Sequence, residues 1–150
     1  MTTSVLGDVV SEMTGDLATV DVVMPANVDP HEFQLSARDA ADLREADVVV
    51  ANGAGFEAGL EETIHGAEED GTVVFEAIDH IATLQVSEDA PAEEDEHADG
   101  EGEGEEAHEG VDPHFFNDPA RMATAAEALA GFLTDEVPAL DTPAFRDRAA

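Results

Sequence analysis

The sequence predicts an α/β fold, a parallel β-sheet flanked by helices, on three observations. The runs DVVVAN (47–52) and TVVFEA (72–77) are β-branched and do not alternate apolar with polar residues, as expected of strands covered on both faces. Apolar residues at helical spacing separate such runs. Strands and helices then alternate along the chain at the spacing of an α/β unit with parallel strands. With 150 residues there is room for one substantial core, not for two independent ones.

The elements follow in order. Leu6, Val9, Val10 and Met13 share one helix face, and Gly15 can stop that helix. ATVDVVM (18–24) reads as a strand ending at Pro25, and the stretch from Pro25 to His31 as the loop leaving it. Ser36 opens the next helix, with Asp39 placed to complete a capping box and Leu43 and Ala46 on its apolar face. After the 47–52 strand, Phe56, Leu60 and Ile64 lie four apart on a helix expected over 56–68. The 72–77 strand comes next. Asp118 and Pro119 form an N-cap and first-turn pair for a helix whose face is Met122, Ala126, Leu129 and Leu133. Pro138 interrupts it, and Thr142 with Pro143 can begin one more.

Charge is the compositional outlier. Thirty-seven acidic residues face five arginines and no lysine, a formal net charge of -32. Nucleic acid and anionic membranes are repelled by such a chain, and cations are its natural partners. Residues 87–110 hold twelve of the acids, which leaves twenty-five for the rest of the chain. That surface repels itself strongly where the Debye length is about 30 Å (0.01 M salt) and far less where it is about 3 Å (1 M), which points to a saline-adapted source. Without cysteine, disulfides and thiolate zinc sites are excluded. No apolar run approaches the roughly 20 residues needed to span a bilayer. Residues 1–16 lack the basic start and apolar block of an export signal, so the chain reads as soluble and unexported.

The tetrad VDPH occurs twice, at 28–31 and at 111–114, in a chain of six histidines. Duplication does not explain it, because the residues that follow, EFQLSARD and FFNDPARM, share little and no fixed period links their flanks. Each tetrad is a small device. Proline fixes its own φ and pushes the preceding Asp towards extended geometry, so the histidine sits at the end of a stiff loop. A metal ligand needs this stiffness, since zinc wants nitrogen at about 2.0–2.1 Å in a tetrahedral direction. Ligands of parallel sheets also gather beyond the carboxyl ends of the strands, where the first histidine lies. Phe33, Phe115 and Phe116 could shield an ion from water. A single Asp-Pro-His is most often a loop histidine bonded to a backbone carbonyl, and at this level the two readings stay open. His65, on the helix expected over 56–68, and His80 have no partner at metal spacing and read as surface or helix-end residues.

Three longer stretches go further. TTSVLGDVVSEMTGD, VMPANVDPHEFQLSARDAADLREADVVVANGAGFEAGLEE and VDPHFFNDPARMATAAEAL resemble, in this order, the amino-terminal lobe of the solute-binding proteins of zinc and manganese ABC transporters (cluster A-I, ZnuA/TroA-like). The resemblance covers nearly all of the chain outside the acidic stretch, with Phe116 where Trp is commoner. It implies one Rossmann-like lobe of a two-lobe metal-binding protein, interrupted by a disordered acidic insertion. It also implies His31 and His114 as imidazole ligands, with the remaining ligands on a second lobe beyond this chain. The resemblance further implies a monomer that binds a divalent metal ion, Zn²⁺ with Mn²⁺ possible, and serves an ABC membrane permease in the periplasm or at the cell surface. The organisation expected is therefore 1–86 as the first part of the lobe, 87–110 as the acidic histidine-containing loop, and 111–150 as the second ligand loop, its helix and the start of an interlobe helix.

His97 and His108 lie among the carboxylates of that loop, where zinc-type members often carry a His- and acid-rich segment. The plain reading is a solvated charge run; the sharper one is weak accessory capture of cations. Asp95, His97, Asp99, Gly100 and Glu106 nearly match an EF-hand, but His97 takes an oxygen-ligand position and neither flank supplies a helix pair. Two rivals to metal delivery remain from the residues alone. One is an acidic cation-buffering or interaction protein acting through the loop. The other is a zinc hydrolase, for which neither H-E-x-x-H nor G-x-S-x-G is present.

Overall fold

The computed structural model describes residues 1–29, 33–84 and 111–150. The sheet is built on two parallel strands, β1 (Val48–Ala51) and β2 (Val73–Glu76), with Val48 opposite Val73 and Ala51 opposite Glu76. Among the described residues five helices surround it: α1 (Ser4–Thr14), α2 (Ala37–Arg44), α3 (Glu61–Glu69), α4 (Pro119–Glu136) and α5 (Pro143–Ala149). Alternate residues of β1 feed two cores. Val50 points to one with Leu6 and Val10 of α1, Leu129 and Leu133 of α4, and Phe75, Phe115 and Phe145. Val49 and Ala51 point to the other, with Leu43 of α2, Leu60, and Ile64 and Ala67 of α3. Both faces are covered, which is why neither strand alternates in sequence.

The caps are where the sequence places them. The Ser36 hydroxyl accepts from the Asp39 N–H at 3.2 Å while the Asp39 carboxylate takes the Ser36 N–H, a complete capping box. Asp118 caps α4 through the N–H groups of Ala120 and Arg121, ahead of Pro119 at the first helical position. Thr142 caps α5 through the N–H of Phe145.

Two elements differ from expectation. Residues 18–24 do not form a regular strand. Val23 and Met24 donate to the carbonyls of Met1 and Thr2 at 2.9 and 3.0 Å, and the Thr2 N–H donates to Val50 O at 3.0 Å. The segment is thus joined to β1 only through two residues, a ladder too short to hold seven in register. The helix expected from 56 begins at Glu61, after a single 3₁₀ turn over Ala58–Leu60. The cause lies upstream: Gly53, Ala54 and Gly55 are all left-handed, with φ of 83°, 52° and 70°, and the turn they make uses up residues 53–57. Phe56, Leu60 and Ile64 are buried all the same.

The segment expected to be the acidic insertion, together with His97 and His108, lies outside the described residues, as do Pro30, His31 and Glu32. Of the described residues on either side of 85–110, the Asp112 N–H donates to Leu84 O at 2.9 Å. Among the described residues no helix is long and apolar enough to cross a membrane.

Candidate metal centre around His114

His114 stands beyond the carboxyl end of β1, at the edge of the sheet where α/β folds hold ligands. Its surroundings come from three pieces of chain. The first is its own tetrad. Asp112 Oδ1 accepts both the His114 backbone N–H at 3.0 Å and the imidazole Nδ1 at 2.8 Å. Pro113 fixes the geometry between them. The His114 N–H, and after it the imidazole, hold the Asp112 carboxyl below the ordinary carboxylate range. An ionised carboxylate only accepts, so Nδ1 carries a proton, and it is the neutral form of the ring that then presents its lone pair at Nε2.

The second piece is the left-handed turn after β1. Phe56 meets the His114 ring edge-on, with centroids 5.6 Å apart and planes at 88°, and meets Phe116 at 5.3 Å. Phe116 itself lies 5.9 Å from the imidazole. Phe115 turns the other way and is 1% exposed in the core. Of the aromatics expected to shield an ion, Phe116 therefore borders the imidazole and Phe115 does not. Phe33 is half-buried, its carbonyl pressed so closely on Gly59 that a Cβ there would collide with it.

The third piece is a buried polar cluster that sequence reasoning did not single out. Glu57, 3% exposed, accepts the N–H of Asn52 at 2.6 Å, the N–H of Gly53 at 3.2 Å and the Thr2 hydroxyl at 2.6 Å. Asn52, 1% exposed, donates its side-chain N–H to Pro113 O at 3.0 Å and to Gly53 O at 3.3 Å. The one signal available in sequence was Asn52 ending a β-branched run at the carboxyl edge of the sheet, five residues before an acid at an apolar helix position.

His31 lies outside the described residues. The loop leading to it reaches the same place, since Asn27 and Val28 share a small cleft with Phe56 and Phe116. Among the described residues no three His, Asp or Glu side chains converge. His65 is exposed on α3, 3.8 Å from Glu68 and 3.7 Å from Glu69, and His80 stacks on Phe75 at 4.3 Å, so neither joins His114.

Comparison with known proteins adds the following. The family model described as ZnuA, zinc-uptake complex component A, periplasmic, matches residues 1–150. The zinc-binding lipoprotein AdcA of Streptococcus pneumoniae is 26% identical over 127 residues, 85% of this chain and 24% of that protein. The manganese-binding lipoprotein MntA of Halalkalibacterium halodurans is 24% identical over 135 residues, 90% of this chain and 38% of that one. The Mn-bound periplasmic metal-binding protein of Candidatus Liberibacter asiaticus superposes with a TM-score of 0.76 at 22% identity, over 99% of this chain and 48% of its own, a likeness of fold. The chain thus spans well under half the length of these curated relatives and about half of that solved chain.

Proposed function

The chain belongs to the ZnuA family, and from that premise we propose that it is the amino-terminal lobe of an extracytoplasmic solute-binding protein of an ABC metal importer. The cargo we assign is a divalent cation, Zn²⁺ first and Mn²⁺ second, handed on to the membrane permease without catalysis. Its ligands in this lobe are His31 and His114. His97 and His108 act as weak accessory capture from the 87–110 loop.

The observation that carries the reading is the state of one imidazole. His114 gives Nδ1 to Asp112 at 2.8 Å, its ring lies against Phe56 and Phe116, and among the described residues no partner takes Nε2. A carboxylate that holds the far nitrogen fixes the tautomer and the ring direction and makes the near nitrogen a better donor. For His114 the partner of Nδ1 is a carboxylate and not a backbone carbonyl, which supports the ligand reading over the plain loop histidine. Imidazole nitrogen favours Zn²⁺ over Mg²⁺ and Ca²⁺, and two imidazoles leave half of a tetrahedral shell to other ligands or water.

The test is a Zn²⁺ titration of the chain at pH 7.5, read by calorimetry and by thermal unfolding. Zinc-dependent stabilisation that is lost in both His31→Ala and His114→Ala supports the reading. A chain that zinc does not stabilise, or that binds equally without either histidine, sinks it. Removing residues 87–110 separates site from loop, because binding at His31 and His114 persists when the loop is gone.

A further inference from the structure

We propose that Asn52 is a positioning residue for the His114 imidazole, an inference that rests on the metal-capture reading above and deepens it. His114 hangs from the Pro113 peptide, whose carbonyl takes the Asn52 side-chain N–H at 3.0 Å across 61 residues of sequence. Asn52 cannot drift, because its own N–H is bound by Glu57 at 2.6 Å and its carbonyl takes the Ile78 N–H at 3.0 Å. The same carboxylate pins Gly53, where the left-handed turn that carries Phe56 to the imidazole begins. One buried unit therefore sets both the peptide from which His114 projects and the ring against which it rests.

Two features separate this from ordinary core satisfaction. Ala54 sits at φ 52° in the turn, a conformation that costs an L-residue energy and that persists only where the surroundings impose it. Asn52 Oδ1 is buried with no hydrogen-bond partner among the described residues. Flipping the amide does not cure this, for it would aim Oδ1 at the carbonyls of Pro113 and Gly53. A buried amide kept only for stability is normally bonded at both ends. This one is held for its donors, one on the His114 loop at Pro113 O and the other on Gly53 O, in the turn that carries Phe56.

The experiment compares the wild-type chain, Asn52→Ala, Asn52→Asp and Leu140→Ala. Leu140 is 2% exposed just past the far end of α4, away from His114, so its variant reports destabilisation alone. Two quantities are read: ring–ring NMR contacts between His114 and Phe56 in metal-free protein, and Zn²⁺ affinity by titration with zinc alone. Both Asn52 variants are expected to lose the ring contacts and to bind zinc about tenfold or more weakly, the range for groups that orient a ligand. Leu140→Ala keeps the contacts and the affinity. Ring contacts unchanged in the Asn52 variants overturn the inference, as does an equal loss of affinity in Leu140→Ala. If the contacts depend on Asn52 but wild-type protein binds no zinc, the positioning role stands and the metal-capture reading falls.

Discussion

His114 and Asp112 share one oxygen twice over: Asp112 Oδ1 takes the imidazole Nδ1 at 2.8 Å and the backbone N–H of the same residue at 3.0 Å. The first bond sets the tautomer and the second sets the rotamer of the carboxylate that does so. Asp112→Asn keeps the shape but turns one acceptor into a donor and removes the charge. Zinc affinity is expected to fall about 10-fold, as for other carboxylate–histidine pairs behind a metal. Thermal stability should hardly move, because the pair is partly exposed and such pairs contribute little. Calorimetric titration beside a melting curve checks both halves.

The same pair gives a pH prediction with a definite sign. The Asp112 carboxyl is held low, first by the His114 N–H and then by its imidazole. A lowered folded value stabilises above the unfolded value, about 3.9, and is lost as pH falls through the folded one. Wild type and Asp112→Ala should therefore differ in urea midpoint above about pH 4 and converge below it. A gap that widens on acidification would contradict the bond's direction.

Salt acts on the whole surface. The described arginine pairs Arg38–Asp42 at 3.6 Å, Arg44–Asp70 at 3.7 Å and Arg146–Asp141 lie at the surface, where each contributes at most about 1 kcal/mol, and in Arg121–Asp118 at 3.6 Å the arginine is largely covered while its partner is exposed. Against them stand 37 acidic residues that repel one another. Screening weakens both, and repulsion is the larger quantity. Raising NaCl from 0.01 to 1 M should lift the melting temperature, on the order of 5–10 °C if a few kcal/mol of repulsion is removed. A melting temperature unchanged across that range would show that the excess charge costs the folded chain nothing.

Glu57 shows where the sequence could be read and where it could not. Local rules located β1, β2, the Ser36 capping box and the Asp118–Pro119 start of α4, because each is decided by residues within one turn or one strand. They placed a strand at 18–24 that does not form, because the only chain beside it among the described residues is the pair Met1 and Thr2, and they ran α3 too far back, because the left-handed turn at 53–55 is held by an acid two residues beyond it. His114 and Phe116 were legible as a motif. Asn52 and Glu57 were not, since their partners lie up to 61 residues away.

That buried carboxylate predicts a large cost. Glu57→Ala strands the N–H groups of Asn52 and Gly53 in the interior and leaves the Thr2 hydroxyl only the Val50 carbonyl at 3.3 Å. Unsatisfied buried donors cost about 1–3 kcal/mol each, so a loss of about 3–5 kcal/mol is expected, counting partial relaxation. Glu57→Gln keeps one acceptor and should lose less. Urea unfolding of the two variants gives the order; equal stability of Glu57→Ala and wild type would show that the turn is held some other way.

The two adjacent aromatics of VDPHFFNDP offer the sharpest separation of core from site. Phe115 is 1% exposed and packs with Val50, Phe75 and Leu129, whereas Phe116 is partly exposed between Phe56 and His114. Phe115→Ala removes a full core side chain and leaves a cavity, which costs about 3–5 kcal/mol. For a 150-residue chain that is on the order of 10 °C in melting temperature. Phe116→Ala exposes a ring contact already open to water, so about 1 kcal/mol or less of stability is expected to go. On the proposed reading its effect falls on zinc affinity, because the ring that borders the His114 imidazole is lost. Melting curves and zinc titrations of the two variants should therefore cross: the first unstable with intrinsic affinity kept below its melting point, the second stable with affinity reduced. If Phe116→Ala is instead the less stable of the two, the ring belongs to the core, and the shielding role assigned to it beside His114 is wrong.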